Sequence, residues 1–192
     1  MPRPRSFDSD AVIDKLCEYF WEHGYSAASL DDLARQLGIK RGSLFNAFGS
    51  KEALLCAAFE RYGQIFQGNY ETAHHGRDAI VEYFNNATAL ATTQAMGRGC
   101  FLVNLLMSQD IPTLELQQAL DQDVAFIKEF FTDHLHQAQQ EQDLLPTVSI
   151  AAGVDALFGT MVGLFALARM KATPVMVEEF VHNNLRGLFA GY

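Results

Sequence analysis

Apolar residues recur every three or four positions along almost the whole chain, and no Asn-Gly or Asp-Gly joins two alternating runs. That period lines up one face of an α-helix, and without such turns the strongest hairpin signal is missing, so the chain reads as all-α. A first helix over 8–23 carries Ile13, Leu16, Cys17, Phe20 and Trp21 on one side and stops at Gly24. A second opens at Ser29, whose hydroxyl suits the free amides of a first turn, and stops at Gly38. A third, 41–48, follows a tight turn, and Gly49-Ser50 divides it from a fourth that runs from Lys51 to about residue 70. Beyond a polar break at 72–76 the pattern predicts helices over 77–96, 100–109, 114–143, 149–171 and 175–190. Gly97-Arg98-Gly99, Pro112, Pro146 and Pro174 separate them.

Hydrophobic residues make up 49% of the chain and charged residues 19%, which excludes a disordered polymer and leaves apolar surface to cover inside the fold or against a partner. The net charge of −9 argues against a nucleic-acid binder until its distribution is considered. Residues 1–51 hold seven Lys/Arg against seven Asp/Glu, and residues 52–192 hold seven against sixteen. The acidic excess therefore lies behind the first 51 residues, and the front of the chain can carry a phosphate-facing patch. The N-terminus lacks an apolar core before a small-residue cleavage site, so a cytoplasmic location is expected. Cys17, Cys56 and Cys100 are odd in number and widely spaced, which indicates neither a disulfide framework nor a zinc site. The apolar stretch 150–168, with Gly159 and Gly163 four residues apart, is barely long enough to span a membrane and contains Asp155. The expected use of its small residues is the close approach of two soluble helices, with no membrane as partner.

Two short helices joined by a Gly-containing turn, 29–36 and 41–48, form a helix-turn-helix whose second helix can enter the major groove. Leu30, Leu33, Ala34, Leu37, Ile39, Leu44 and Phe48 are the expected core between them, with Ala34 and Gly42 leaving room for close approach. Arg41, Ser43, Phe45 and Asn46 lie on the early turns of the second helix, where Arg suits guanine, Asn suits adenine and an aromatic ring can touch thymine methyls.

The run GYSAASLDDLARQLGIKRGSLFNAFGSKEALL, from Gly24 to Leu55, resembles the signature of the TetR family of transcriptional regulators almost position by position. The resemblance implies an N-terminal three-helix DNA-binding domain, taken as 1–50, and a C-terminal helical effector-binding and dimerisation domain, 51–192. It implies a regulator, a repressor in the expected case, that binds a palindromic operator as a homodimer and is released by a small, largely apolar effector. The implied DNA-facing set is Ser29, Lys40, Arg41, Gly42, Ser43, Phe45, Asn46 and Lys51, with a phosphate contact at Lys51 and the amides after Ser50. Two positions depart from the family pattern. Phe45 stands where Tyr is common, and Lys40 stands where a capping Ser is common. Arg3 and Arg5 either reach the DNA backbone or minor groove or belong to an ordinary disordered arm.

For the C-terminal domain, the resemblance implies a ligand pocket and an interface built from the last two helices. Phe66, Cys100, Asn104, Met107, Phe126, Phe158 and Met161 are the expected effector contacts, and Gly159, Gly163, Phe180 and Leu188 the expected interface. No cofactor and no metal is implied. An enzyme is disfavoured because no nucleophile and base are spaced as a unit and no phosphate-cradling loop is present. A thiol- or metal-sensing repressor of the same fold is the alternative, through Cys56 or Cys100, or through His74, His75, His134 and His136.

Overall fold

The computed structural model describes residues 8–108 and 111–192, with Gln67 and Asn69 described by their backbone alone. Arg3, Arg5 and the expected helical residue Gln109 lie outside the described residues. Among the described residues the secondary structure is helical apart from turns and one isolated bridge, in the order α1 (Ser9–His23), α2 (Leu30–Leu37), α3 (Arg41–Phe48), α4 (Lys51–Phe66), a 3-10 turn (Gln67–Tyr70), α5 (Gly76–Ala91), α6 (Phe101–Leu106), α7 (Leu114–Gln140), α8 (Ile150–Arg169) and α9 (Pro174–Arg186). The chain divides into two compact units, Met1–Phe66 with Met107–Gln117, and Gln67–Leu106 with Gln118–Tyr192.

In the first unit, local chemistry sets the helix limits. The Asp8 carboxylate accepts from the Asp10 and Ala11 amides to start α1. The Ser29 hydroxyl accepts from the Asp32 amide at 3.1 Å to start α2, and Gly38 ends α2 in the left-handed conformation at φ 66°, where a side chain is strained. Helix α4 packs on α1. Trp21 meets Tyr62 and Phe66 edge-on, with ring centroids 5.3 and 5.6 Å away, and Arg61 reaches both Asp10 and Asp14. That packing places α4 in the first compact unit, whose N-terminal segment ends at Phe66.

In the second unit, α8 packs on α5, α6 and α9. With a mean hydropathy of 1.9 over an 18-residue window it is long and apolar enough to cross a membrane, yet only 39% of that window is buried. Several expected helix ends move. Helix α5 stops at Ala91 instead of residue 96: the Thr93 and Ala95 amides both turn to the Leu90 carbonyl, at 3.2 and 2.9 Å, and leave the helical i−4 ladder. Helix α6 stops at Leu106, well before Pro112. Helix α9 stops at Arg186 because the last residues pair with the segment after α7: the Leu145 amide donates to the Leu188 carbonyl at 2.9 Å and the Ala190 amide to the Asp143 carbonyl at 2.8 Å. Pro174 is the first residue of α9, where its missing N–H costs nothing.

Candidate nucleic-acid interface

Helix α3 buries one residue, Leu44, which is fully inaccessible. Leu33 and Ala34 of α2 are buried as well, and Leu30, Leu37, Ile39 and Phe48 are half-buried around them. Anchored by one leucine, α3 presents Arg41, Gly42, Phe45 and Asn46 to solvent and leaves Ser43 half-buried. Phe45 is 54% exposed, an unusual place for an aromatic ring unless another surface covers it. A Cβ built on Gly42 meets nothing within 4 Å, so Gly42 does not serve the approach of α2 and α3; its open side faces outward instead.

Arg41 forms an exposed ion pair with Asp31 at 3.1 Å, a weak link in water that leaves the guanidinium exchangeable. Lys40 precedes α3 in an extended conformation and its side chain does not cap the helix, which leaves the start of α3 suited to an anion. Ser29 stands apart from this set. Its hydroxyl accepts from the Asp32 amide and donates to the Asp32 carboxylate at 2.5 Å, and that bond is the first cause holding the Asp32 carboxyl below its ordinary range. Ser29 caps α2.

At the start of α4, the Ser50 hydroxyl caps the Ala53 amide at 3.2 Å. The Lys51 ammonium lies over the Tyr25 ring, 3.9 Å from its centroid, and the Tyr25 hydroxyl donates to the Glu52 carboxylate at 2.5 Å. Tyr25 thereby steadies both residues at this helix end, a role that the sequence reading did not single out although Tyr25 lies inside the quoted run. Burial first, then the bond to Glu52, pushes the Tyr25 phenol up to about 12. The same bond is the leading cause that lowers Glu52. Because Glu52 is lowered, what it adds to stability is present above the ordinary carboxylate range and fades as pH falls through its depressed value.

The profile of bacterial regulatory proteins of the tetR family matches residues 12–58, and that of the Tetracyclin repressor-like C-terminal domain matches residues 76–183. This chain belongs to the TetR family. It is a DNA-binding transcriptional regulator, and α2 and α3 are its helix-turn-helix. The HTH-type transcriptional repressor ComR of Escherichia coli K12 is 27% identical over 189 residues, spanning 96% of this chain and 90% of ComR. The HTH-type transcriptional regulator UidR of the same strain is 25% identical over 184 residues, spanning 94% of this chain and 90% of UidR. A cysteine mutant of the TetR family regulator CifR, solved with 26-base-pair operator DNA, shares the fold with a TM-score of 0.82 at 24% identity, over 97% of this chain and 99% of that one.

In the second unit of this TetR-family chain, the residues expected to meet an effector do not share one environment. Met161 is buried and Phe126 is 49% exposed. Phe158 is half-buried, with the Lys128 ammonium 5.3 Å from its ring centroid. Asn104 is tied down: its side-chain amide donates to the Arg98 carbonyl at 2.7 Å, and Arg169 donates to the same carbonyl at 3.0 Å. Cys100 is buried beside it. With the Gly97 amide also bonded to the Ala168 carbonyl at 2.7 Å, the glycine-rich break is anchored to the end of α8 rather than loose. Phe66 and Met107 fall in the other unit, where Phe66 packs on Trp21 and Tyr62 and Met107 is 67% exposed.

The expected interface set also separates. Gly159 is exposed and a Cβ there meets nothing within 4 Å, so its small size serves no contact inside the chain. Gly163 is already used, because a Cβ there would lie 2.6 Å from Phe180 Cζ. Leu188 is buried at 6% exposure by the pairing of the C-terminal residues with the segment after α7, which removes it from any outer surface.

Proposed function

We propose that this protein is a cytoplasmic, homodimeric repressor that binds a palindromic operator through α3, lets go when a small effector occupies the second unit, and catalyses no reaction. The observation that carries the reading is the economy of α3: one buried leucine holds a helix whose Arg41, Phe45 and Asn46 all face solvent. Arg41 and Asn46 carry base readout, Phe45 apolar contact to thymine methyls, and Lys40 and Lys51 the phosphates. Two-fold assembly through α8 and α9 is supported by the apolar exposure at these helices: Val175 and Met176 of α9 are 61% and 53% exposed, Met170 just past the end of α8 is 77% exposed, and a Cβ on Gly159 of α8 meets nothing within 4 Å.

Selection of DNA from a randomised pool by the purified protein tests the reading. Enrichment of an inverted repeat with half-sites about one helical turn apart is the expected result. Failure of any sequence to rise above background at low salt would sink it. No observation favours the thiol- or metal-sensing alternative. Burial raises the Cys56 thiol, the opposite of what a reactive thiolate needs, and among the described residues no three His, Cys, Asp or Glu side chains come together.

A further inference from the structure

Within the second unit, the 3-10 turn and helices α5 and α7 build an aromatic cluster. Tyr70 stacks on Tyr83 with ring centroids 5.3 Å apart, and Phe126 and Phe130 meet Tyr70 edge-on at 5.3 and 5.5 Å. Tyr83 is buried, whereas Phe126 is 49% exposed, so the cluster opens to solvent on the α7 side. Asp123 lies three residues before Phe126 and seven before Phe130, which puts its carboxylate on the same stripe of α7. It is half-buried, and among the described residues it has neither a hydrogen bond nor a cation as partner. Burial raises its carboxyl above the ordinary range. Tyr70 is raised in turn, first by burial and then by the charges of Cys100 and Asp123, which places its phenol within electrostatic reach of that carboxylate.

A partly desolvated carboxylate with no partner weakens a fold, and rings with open faces and edges add nothing that compensates it. A cation with an apolar body resolves both at once, since the carboxylate neutralises its charge and the rings attract it through their quadrupoles. We propose that Asp123, Tyr70, Phe126 and Phe130 form the binding site for a small organic monocation, an amine or quaternary ammonium with an aromatic or aliphatic body. The proposal rests on the reading of the second unit as the effector domain and narrows its ligand from apolar to apolar and cationic. Tyr70 also ends the 3-10 turn that directly follows α4 in the chain, so a ligand held against its ring sits at the segment that joins the two units in sequence.

Calorimetric titration of the full-length protein with benzyltrimethylammonium and with its neutral near-isostere, benzyl dimethyl carbinol, tests the site. The cation is expected to bind about tenfold more tightly than the alcohol, the size of one good cation–π and charge contact. Asp123→Asn should remove that advantage, leave the alcohol unchanged, and raise the melting temperature of the free protein because an unpaired desolvated charge is gone. Phe126→Leu should weaken the cation more than the alcohol. Equal affinities for the two probes, absence of cation binding, or a cation affinity unmoved by Asp123→Asn would overturn the site. Operator affinity measured in parallel separates the two readings. Asp123-dependent cation binding that leaves operator affinity intact keeps the site and removes induction through it. Probe-driven release of DNA that persists unchanged in Asp123→Asn keeps induction and removes the site.

Discussion

The two units of the molecule expose different chemistry for different reasons. In the front unit α3 gives up one leucine to the core and shows solvent an arginine, an asparagine, a glycine and a phenylalanine. In the second unit α8 is apolar nearly all round, with fewer than half of its window residues covered, and α9 adds exposed Val175 and Met176. A short helix held by a single anchor is suited to a polar, charged surface such as DNA. A long apolar helix left half bare is suited to another apolar surface, and a second copy of the same face is the simplest one. The comparison teaches that exposure alone does not identify an interface; the chemistry of what is exposed does.

The largest expected effect falls on the apolar side. Gly159→Glu places a carboxylate on the bare face of α8 without disturbing any contact inside the chain. It should convert a sedimenting dimer to a monomer and lower operator affinity about hundredfold or more, since the second half-site is then no longer tethered. A variant that still sediments as a dimer would move the interface elsewhere. On the polar side, Asn46→Ala should cost about 1–3 kcal/mol at one base position of the operator and relax preference there, as read by competition with single-base variants. A uniform loss across all positions would make Asn46 a backbone contact. Lys51→Ala should flatten the slope of log affinity against log salt by about one unit if the ammonium leaves the Tyr25 ring for a phosphate. An unchanged slope would mean that it stays on the ring. The smallest effect concerns Gly42. With open space around its Cβ position, Gly42→Ala should raise folding stability by about 0.5–1 kcal/mol through helix propensity, measured by urea denaturation. A loss of stability would restore Gly42 as a packing residue.

How much of this could be read from the chain depended on range. Helix α3 came out at 41–48 from both directions, the Ser29 cap and the Gly38 stop lay where expected, and α1 differed by one residue, because caps and left-handed stops act within four residues of themselves. The run around the helix-turn-helix carried the family for the same reason, since its spacing is local and continuous. The C-terminal residues of interest did not yield to that reasoning. The resemblance implies Leu188 at the interface, on a helix continuing to residue 190, yet a pairing with residues more than forty positions earlier follows α9 and buries it. Gly159 and Gly163 share one spacing, and only the position of Phe180 shows that one is spent inside the chain while the other is open.

By itself, then, the sequence determined the all-helical class, the helix-turn-helix and its displayed residues, and the regulator family, because periodicity, caps and a contiguous motif are all written over short distances. Tertiary structure alone decided that α4 packs on α1, that Tyr25 holds Lys51 and Glu52, and that Asp123, with no hydrogen-bonding or cationic partner among the described residues, lies within electrostatic reach of Tyr70. Each of these rests on residues 26 or more positions apart, whose meeting depends on how whole helices pack and leaves no periodic trace in the chain.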